Sequence, residues 1–167
     1  PPTLEESTFK SGDSIFMDFG PSNAEDGEQS ELQEDGTFWN NWHAINGEET
    51  IYPGEHLSNL INQDGESTSV RLITRSDMST NGKLNGGLMS PREDNLGKLA
   101  VSSATVDYLF GYKLPGAITI NGLRPGAKYS LKFFSSRADS EERITRFYIP
   151  QGNDTVSKDI QTSGLAD

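Results

Sequence analysis

A chain of 167 residues with 25 acidic against 14 basic side chains carries a net charge of −11, which repels phosphate backbones and anionic lipid and makes nucleic acid a poor partner. It contains no cysteine, which excludes disulfides, thiolate nucleophiles and Cys-ligated zinc, and its two histidines, His43 and His56, are too few for a histidine-rich metal centre. No run reaches the ~18–20 apolar residues of a membrane span, and an apolar share of 32% supports one modest core, hence one domain.

The elements are expected in the following order. Residues 1–13 are polar apart from Leu4 and Phe9 and form a lead-in to a single domain over 14–167. No leader is visible at Pro1. Ser14–Phe19 is aromatic and β-rich and stops at Gly20-Pro21, because proline cannot donate to a ladder. Ser22–Gly36 is acid-rich with a single leucine, so it is expected to be a long solvated loop or an ordered excursion. Aromatic residues return in Phe38-Trp-Asn-Asn-Trp-His-Ala-Ile45.

His56–Gln63 places Leu57, Leu60 and Ile61 at helical spacing over a short stretch. Thr68–Arg75 reads as a strand, and Asp77–Asn95 as a glycine- and asparagine-rich surface loop tethered by Leu84, Leu88 and Met89. Val101–Tyr112 is ambiguous: Ser102 or Ser103 could cap a short helix, with Val106, Leu109 and Phe110 at helical spacing. Strands are expected at Ala117–Ile120, Tyr129–Ser135, Ile144–Ile149 and Thr155–Ile160, joined by turns. No long amphipathic helix alternates with these strands, so a doubly wound sheet is excluded in favour of an all-β antiparallel β-sandwich. The polar ending Asp159–Asp167 brings no further strand. Either the sheet is complete without one or its C-terminal strands are missing and an edge stays open.

Three constellations bear on chemistry. In Ile118–Tyr129, Leu123 tucks under the sheet, Pro125-Gly126 turns the chain, and the Tyr129 hydroxyl bonds back to the turn as in a tyrosine corner. In the aromatic cluster, Trp39 or Trp42 would stack on a sugar face while Asn40 and Asn41 hydrogen-bond its hydroxyls; the alternative is that both rings fill the core. Asp18, in an otherwise apolar strand, needs a partner, and Arg137 offers a planar fork for it, as a brace or as part of a ligand site.

Taken together, Met17-Asp-Phe-Gly-Pro21, Trp39-Asn-Asn41, Leu123-Arg-Pro-Gly126 and Phe133-Phe-Ser-Ser-Arg137 resemble a galactose-binding-like β-sandwich domain of exported Bacteroides-type polysaccharide-degrading proteins. The resemblance spans about Ser14 to Ile149. It implies a jelly roll standing alone or beside a hydrolase domain in its parent protein, and a secreted, periplasmic or cell-surface bacterial location. The function it implies is non-catalytic carbohydrate binding through Trp39, Asn40, Asn41, Trp42, Arg137 and Asp18.

Two further readings compete with it. Gly12-Asp13-Ser14-Ile15 looks like the first block of SGNH esterases, with Ser14 as nucleophile, and Gly152-Asn153-Asp154 loosely matches an oxyanion block. However, no strand–turn–helix context presents Ser14, and neither histidine follows an aspartate three residues back. The other reading is a structural or protein-interaction sandwich. No cofactor is expected. A structural calcium would fall to Glu25, Asp26, Glu28, Glu31, Glu34 and Asp35, which lack the register of an EF-hand.

Overall fold

The computed structural model describes residues 8–21, 30, 32–44, 50–83, 86–111, 114–151 and 153–164. The chain is mostly β, with 34% of residues in strands and 9% in helix, and most of its strand pairs are antiparallel. One three-stranded sheet joins β3 (Thr50–Ile51), β6 (Met78–Asn81) and β7 (Tyr108–Phe110). A second joins β4 (His56–Leu57), β5 (Arg71–Thr74) and β8 (Ile118–Asn121). The pair β1 (Met17–Gly20) and β2 (Asn40–His43) is parallel, contrary to a purely antiparallel fold. A parallel pair needs a long connection, and in the sequence β1 ends at Gly20 and β2 begins only at Asn40. A ribbon of β9 (Arg143–Gln151) and β10 (Asp154–Ser163) completes the strands, and two one-turn helices, α1 (Glu93–Leu96) and α2 (Ser102–Thr105), precede β7.

Alternation makes the core. On β5, Leu72 and Thr74 point inward while Arg71 is exposed, the period-2 pattern of a strand with one face covered. Trp42, Ala44, Ile51, Leu60, Val70 and Leu72 form the buried cluster, and Phe9, Ile15, Met17, Phe19, Leu57, Leu109, Ile118, Ile120 and Leu123 pack around it. Leu123 and the turn behave as expected: the Tyr129 hydroxyl accepts the Arg124 N–H at 2.7 Å.

Several expectations are corrected. The helical spacing at 57–61 does not make a helix, because Asn59 turns the chain at φ 56° and Leu60 then exchanges main-chain bonds with Val70 and Thr68. The surface loop expected from Asp77 contains β6, whose Met78 and Thr80 are buried; Leu88 and Met89 are exposed rather than tethers, and Leu84 lies outside the described residues. The short helix in Val101–Tyr112 is present over 102–105 with Val101, not a serine, at the cap position, but Leu109 and Phe110 lie on a strand over 108–110 and not on the helix. Among the described residues Tyr129–Ser135 pairs with no strand, so that expectation is corrected too.

Candidate functional site

The strand register decides the fate of the aromatic cluster. Parallel pairing sets Asp18 beside Asn41 and Phe19 beside Trp42, so one face of β1–β2 carries Met17, Phe19, Asn40 and Trp42 and the other Asp18, Gly20, Asn41 and His43. The first face looks into the core. Trp42 is 4% exposed and tilted against Phe19 at 6.1 Å; Trp39 is 5% exposed and tilted against Phe16 at 5.2 Å. The expectation of a bare indole is therefore corrected: each ring already has an aromatic neighbour and neither offers a face to a saccharide.

Both carboxamides are committed as well. Asn40 donates from Nδ2 to the carbonyls of Phe16 (3.1 Å) and Ile61 (2.9 Å) and accepts the Ile61 N–H at Oδ1 (2.8 Å). Asn41 donates to the Ser30 carbonyl at 2.7 Å and accepts the Ser30 N–H at 2.7 Å, a side chain imitating a strand partner. Asp18 joins it, accepting the same Ser30 N–H at Oδ2 (2.9 Å). Ser30, from the middle of the supposedly solvated acidic stretch, is fully buried, and its Oγ lies 2.8 Å from Ser103 Oγ. Sequence reasoning missed this anchor because one serine among acids carries no signal.

Asp107 completes the polar face. It is 4% exposed, and a Cβ built on Gly20 would lie 2.2 Å from its Oδ2, so only glycine admits the carboxylate there. Trp39 Nε1, His43 Nδ1 and Arg137 Nε are buried without a hydrogen-bond partner among the described residues.

Arg137 does not brace Asp18 as expected. Its Nη2 lies 3.3 Å from Asp139, whose carboxylate also meets Arg143 at 3.4 Å and accepts the Glu141 N–H at 3.1 Å. The Glu141 N–H and, after a desolvation that works against it, the two guanidiniums hold the Asp139 carboxyl below its ordinary pKa. Asp139 and its neighbours form the root of the ribbon: Arg137 N–H donates to Thr162 O, Gly164 N–H to Asp139 O, and Ala138 N–H ties the root to Gly86.

Beyond the root lies the ribbon whose two strands are expected from the sequence, and it carries a surface that the sequence does not mark. Among the described residues β9 and β10 are the longest strands and pair only with each other. Their register puts Thr145, Phe147, Ile149, Val156, Lys158 and Ile160 on one face. Phe133 stacks on Phe147 at 4.5 Å and 16°, yet Phe133 and Leu131 remain 45% exposed and Val156 54%. On the opposite face Ile144 and Tyr148 are exposed on either side of a bidentate Arg146–Asp159 pair (2.6 and 2.8 Å). The surroundings are basic. Tyr108–Ala138 contains five bases and no acid in a chain of charge −11, and among the described residues Lys128, Lys132 and Lys158 enter no ion pair.

No family model, curated protein or solved structure matches the chain. Its own geometry has to carry the functional argument.

The alternative sites gain nothing from that geometry. Ser14 has its main chain tied to Gln63, which accepts the Ser14 N–H at its side chain and donates its own N–H to Ser14 O. Among the described residues neither histidine bonds to it, and His56 Nδ1 faces Gly54 O at 3.4 Å. Gly152 and most of the proposed calcium ligands (Glu25, Asp26, Glu28, Glu31) lie outside the described residues. Asp35 accepts the Thr37 N–H and meets Lys98 at 3.4 Å, and the Thr37 bonds foremost keep its pKa low. Among the described residues no group of three His, Asp or Glu side chains is disposed to hold a metal ion.

Proposed function

We propose that the chain is a non-catalytic protein-interaction module, a β-sandwich of jelly-roll type whose working surface is the apolar ledge of Leu131, Phe133, Phe147, Ile149 and Val156. The exposed two-stranded ribbon carries this reading. A lone hairpin is marginal in water, and among the described residues both its outer edges present unpaired main-chain groups beyond the Arg137–Thr162 bond at the root. One with a half-bare apolar face is built to be covered. The tyrosine-corner bond and the two three-stranded antiparallel sheets support the sandwich, and the resemblance of Met17–Pro21 and Phe133–Arg137 to galactose-binding-like domains supports an exported setting beside a hydrolase.

The saccharide reading has lost its residues, since the rings and amides it relied on are buried or committed. Two measurements test the choice. The folded chain on a glycan array is expected to stay blank, and Leu131→Asp is expected to lower binding of an apolar-surface dye at unchanged circular dichroism. A polysaccharide that binds and shifts tryptophan emission would restore the saccharide reading and overturn this one.

A further inference from the structure

The geometry points to one kind of partner for the ledge: an extended acidic segment of another protein that alternates apolar and carboxylate side chains and adds as a strand along Ser130–Ser136. The inference rests on the interaction-module reading and adds the chemistry of the occupant.

Three observations lead to it. Among the described residues, Ser130–Ser136 takes part in no sheet ladder, so its N–H and C=O groups are open to a strand. If the segment is paired as a strand, alternation puts Leu131 and Phe133 on one side and Ser130 and Lys132 on the other. Phe133 is already fixed against Phe147, with Lys158 directly across the ladder from that ring. An incoming strand of matching period would lay its apolar side chains on Leu131 and Phe133 and its carboxylates beside Lys128 and Lys132.

Charge settles the sign of the occupant. Lys128 and Lys132 have no carboxylate partner among the described residues, and the 31-residue stretch Tyr108–Ala138 has no acid to supply one. Opposite charges across a strand pair stabilise it and like charges oppose it, so a basic strand is selected against and an acidic one steered in.

The test uses the whole chain and a labelled peptide of about ten residues alternating isoleucine or valine with glutamate. Controls are its lysine-for-glutamate counterpart and a version with proline at two central positions, which cannot donate to a ladder. Fluorescence anisotropy is expected to show the glutamate peptide binding ~10-fold or more tightly than the lysine peptide. Binding should weaken in high salt and with proline, and Lys128→Glu/Lys132→Glu should remove the preference. Equal binding of both charged peptides, or tolerance of proline, overturns the acidic strand while leaving the ledge an interaction surface. Absence of peptide binding overturns it too. Sedimentation of the native chain and of Leu131→Asp then shows whether a second copy fills the ledge, which would preserve the wider reading, or whether the ledge is inert, which would sink both.

Discussion

The Asn40 side chain bonds both main-chain polar groups of Ile61, accepting its N–H at 2.8 Å and donating to its carbonyl at 2.9 Å, while a second donated bond reaches Phe16 O. One carboxamide thus links the stretch before β1 to the turn after β4, with every polar atom used. A buried donor or acceptor left unmatched costs about 1–3 kcal/mol. Asn40→Ala is expected to lower unfolding stability by ~2–4 kcal/mol, with the Ile61 N–H and carbonyl orphaned while Phe16 O keeps the Asn40 main-chain N–H. Asn40→Asp keeps the shape but turns a carboxylate towards two carbonyls. It is expected to cost as much near neutral pH and to recover part of the loss in acid, where a protonated oxygen can donate once. Urea unfolding at two pH values checks this, and a neutral Asn40→Asp would show that the bonds to Ile61 hold little.

What the residues disclosed beforehand was mainly local. The Leu123–Tyr129 corner, the strand over 71–74 and the ribbon around Ile144–Ile160 follow from turn chemistry and period-2 alternation, which act over a few residues. The helical spacing of Leu57, Leu60 and Ile61 misled because Asn59 adopts a left-handed turn that spacing does not reveal. β6 was hidden because Met78-Ser-Thr-Asn81 has polar side chains that become buried only through pairing with β3 and β7. The candidate site failed for a related reason. Two tryptophans flanked by amides read identically whether they face a sugar or a core, and only the parallel register of β2 on β1 decides which.

That burial can be read in solution. Both indoles are expected to emit at blue-shifted wavelengths and to resist iodide quenching, since each is at most 5% exposed. Trp42→Ala removes the largest side chain of the core cluster and is expected to cost about 3–5 kcal/mol. Red-shifted, freely quenched emission would contradict the packing of both rings.

Gly20 and Asp107 are coupled sterically. With Oδ2 of Asp107 2.2 Å from where a Cβ would stand, Gly20→Ala is expected to cost about 1–3 kcal/mol through overpacking. Asp107→Ala is also destabilising, but removing the carboxylate makes room for the new methyl. The double variant is therefore expected to be more stable than the sum of the two losses predicts, by an interaction energy of ~0.5 kcal/mol or more. Strict additivity would mean that the two residues do not meet.

The ribbon root sets an acid limit. Asp139 is held below its ordinary pKa of 3.8, chiefly by the Glu141 N–H and then by Arg143 and Arg137, and Asp159 likewise by its bond to Arg146. A carboxyl whose folded pKa is depressed contributes stability that is whole above the unfolded value and lost as pH falls through the folded one. Neither group should therefore make the ribbon pH-dependent between about pH 5 and 8, and both should loosen it below about pH 4. Both are solvent-accessible, so the effect is expected as local fraying and not global unfolding. Hydrogen exchange at the Arg137 and Gly164 amides, which fasten the root through Thr162 and Asp139 carbonyls, is the sensitive reporter. After correction for intrinsic rates, protection there should fall with acid ahead of the core amides of Leu60 and Thr74. Asp139→Asn should show reduced protection already at neutral pH and a flatter acid response. Root and core amides losing protection together, with Asp139→Asn behaving like the native chain, would show that this carboxylate does not hold the ribbon to the body.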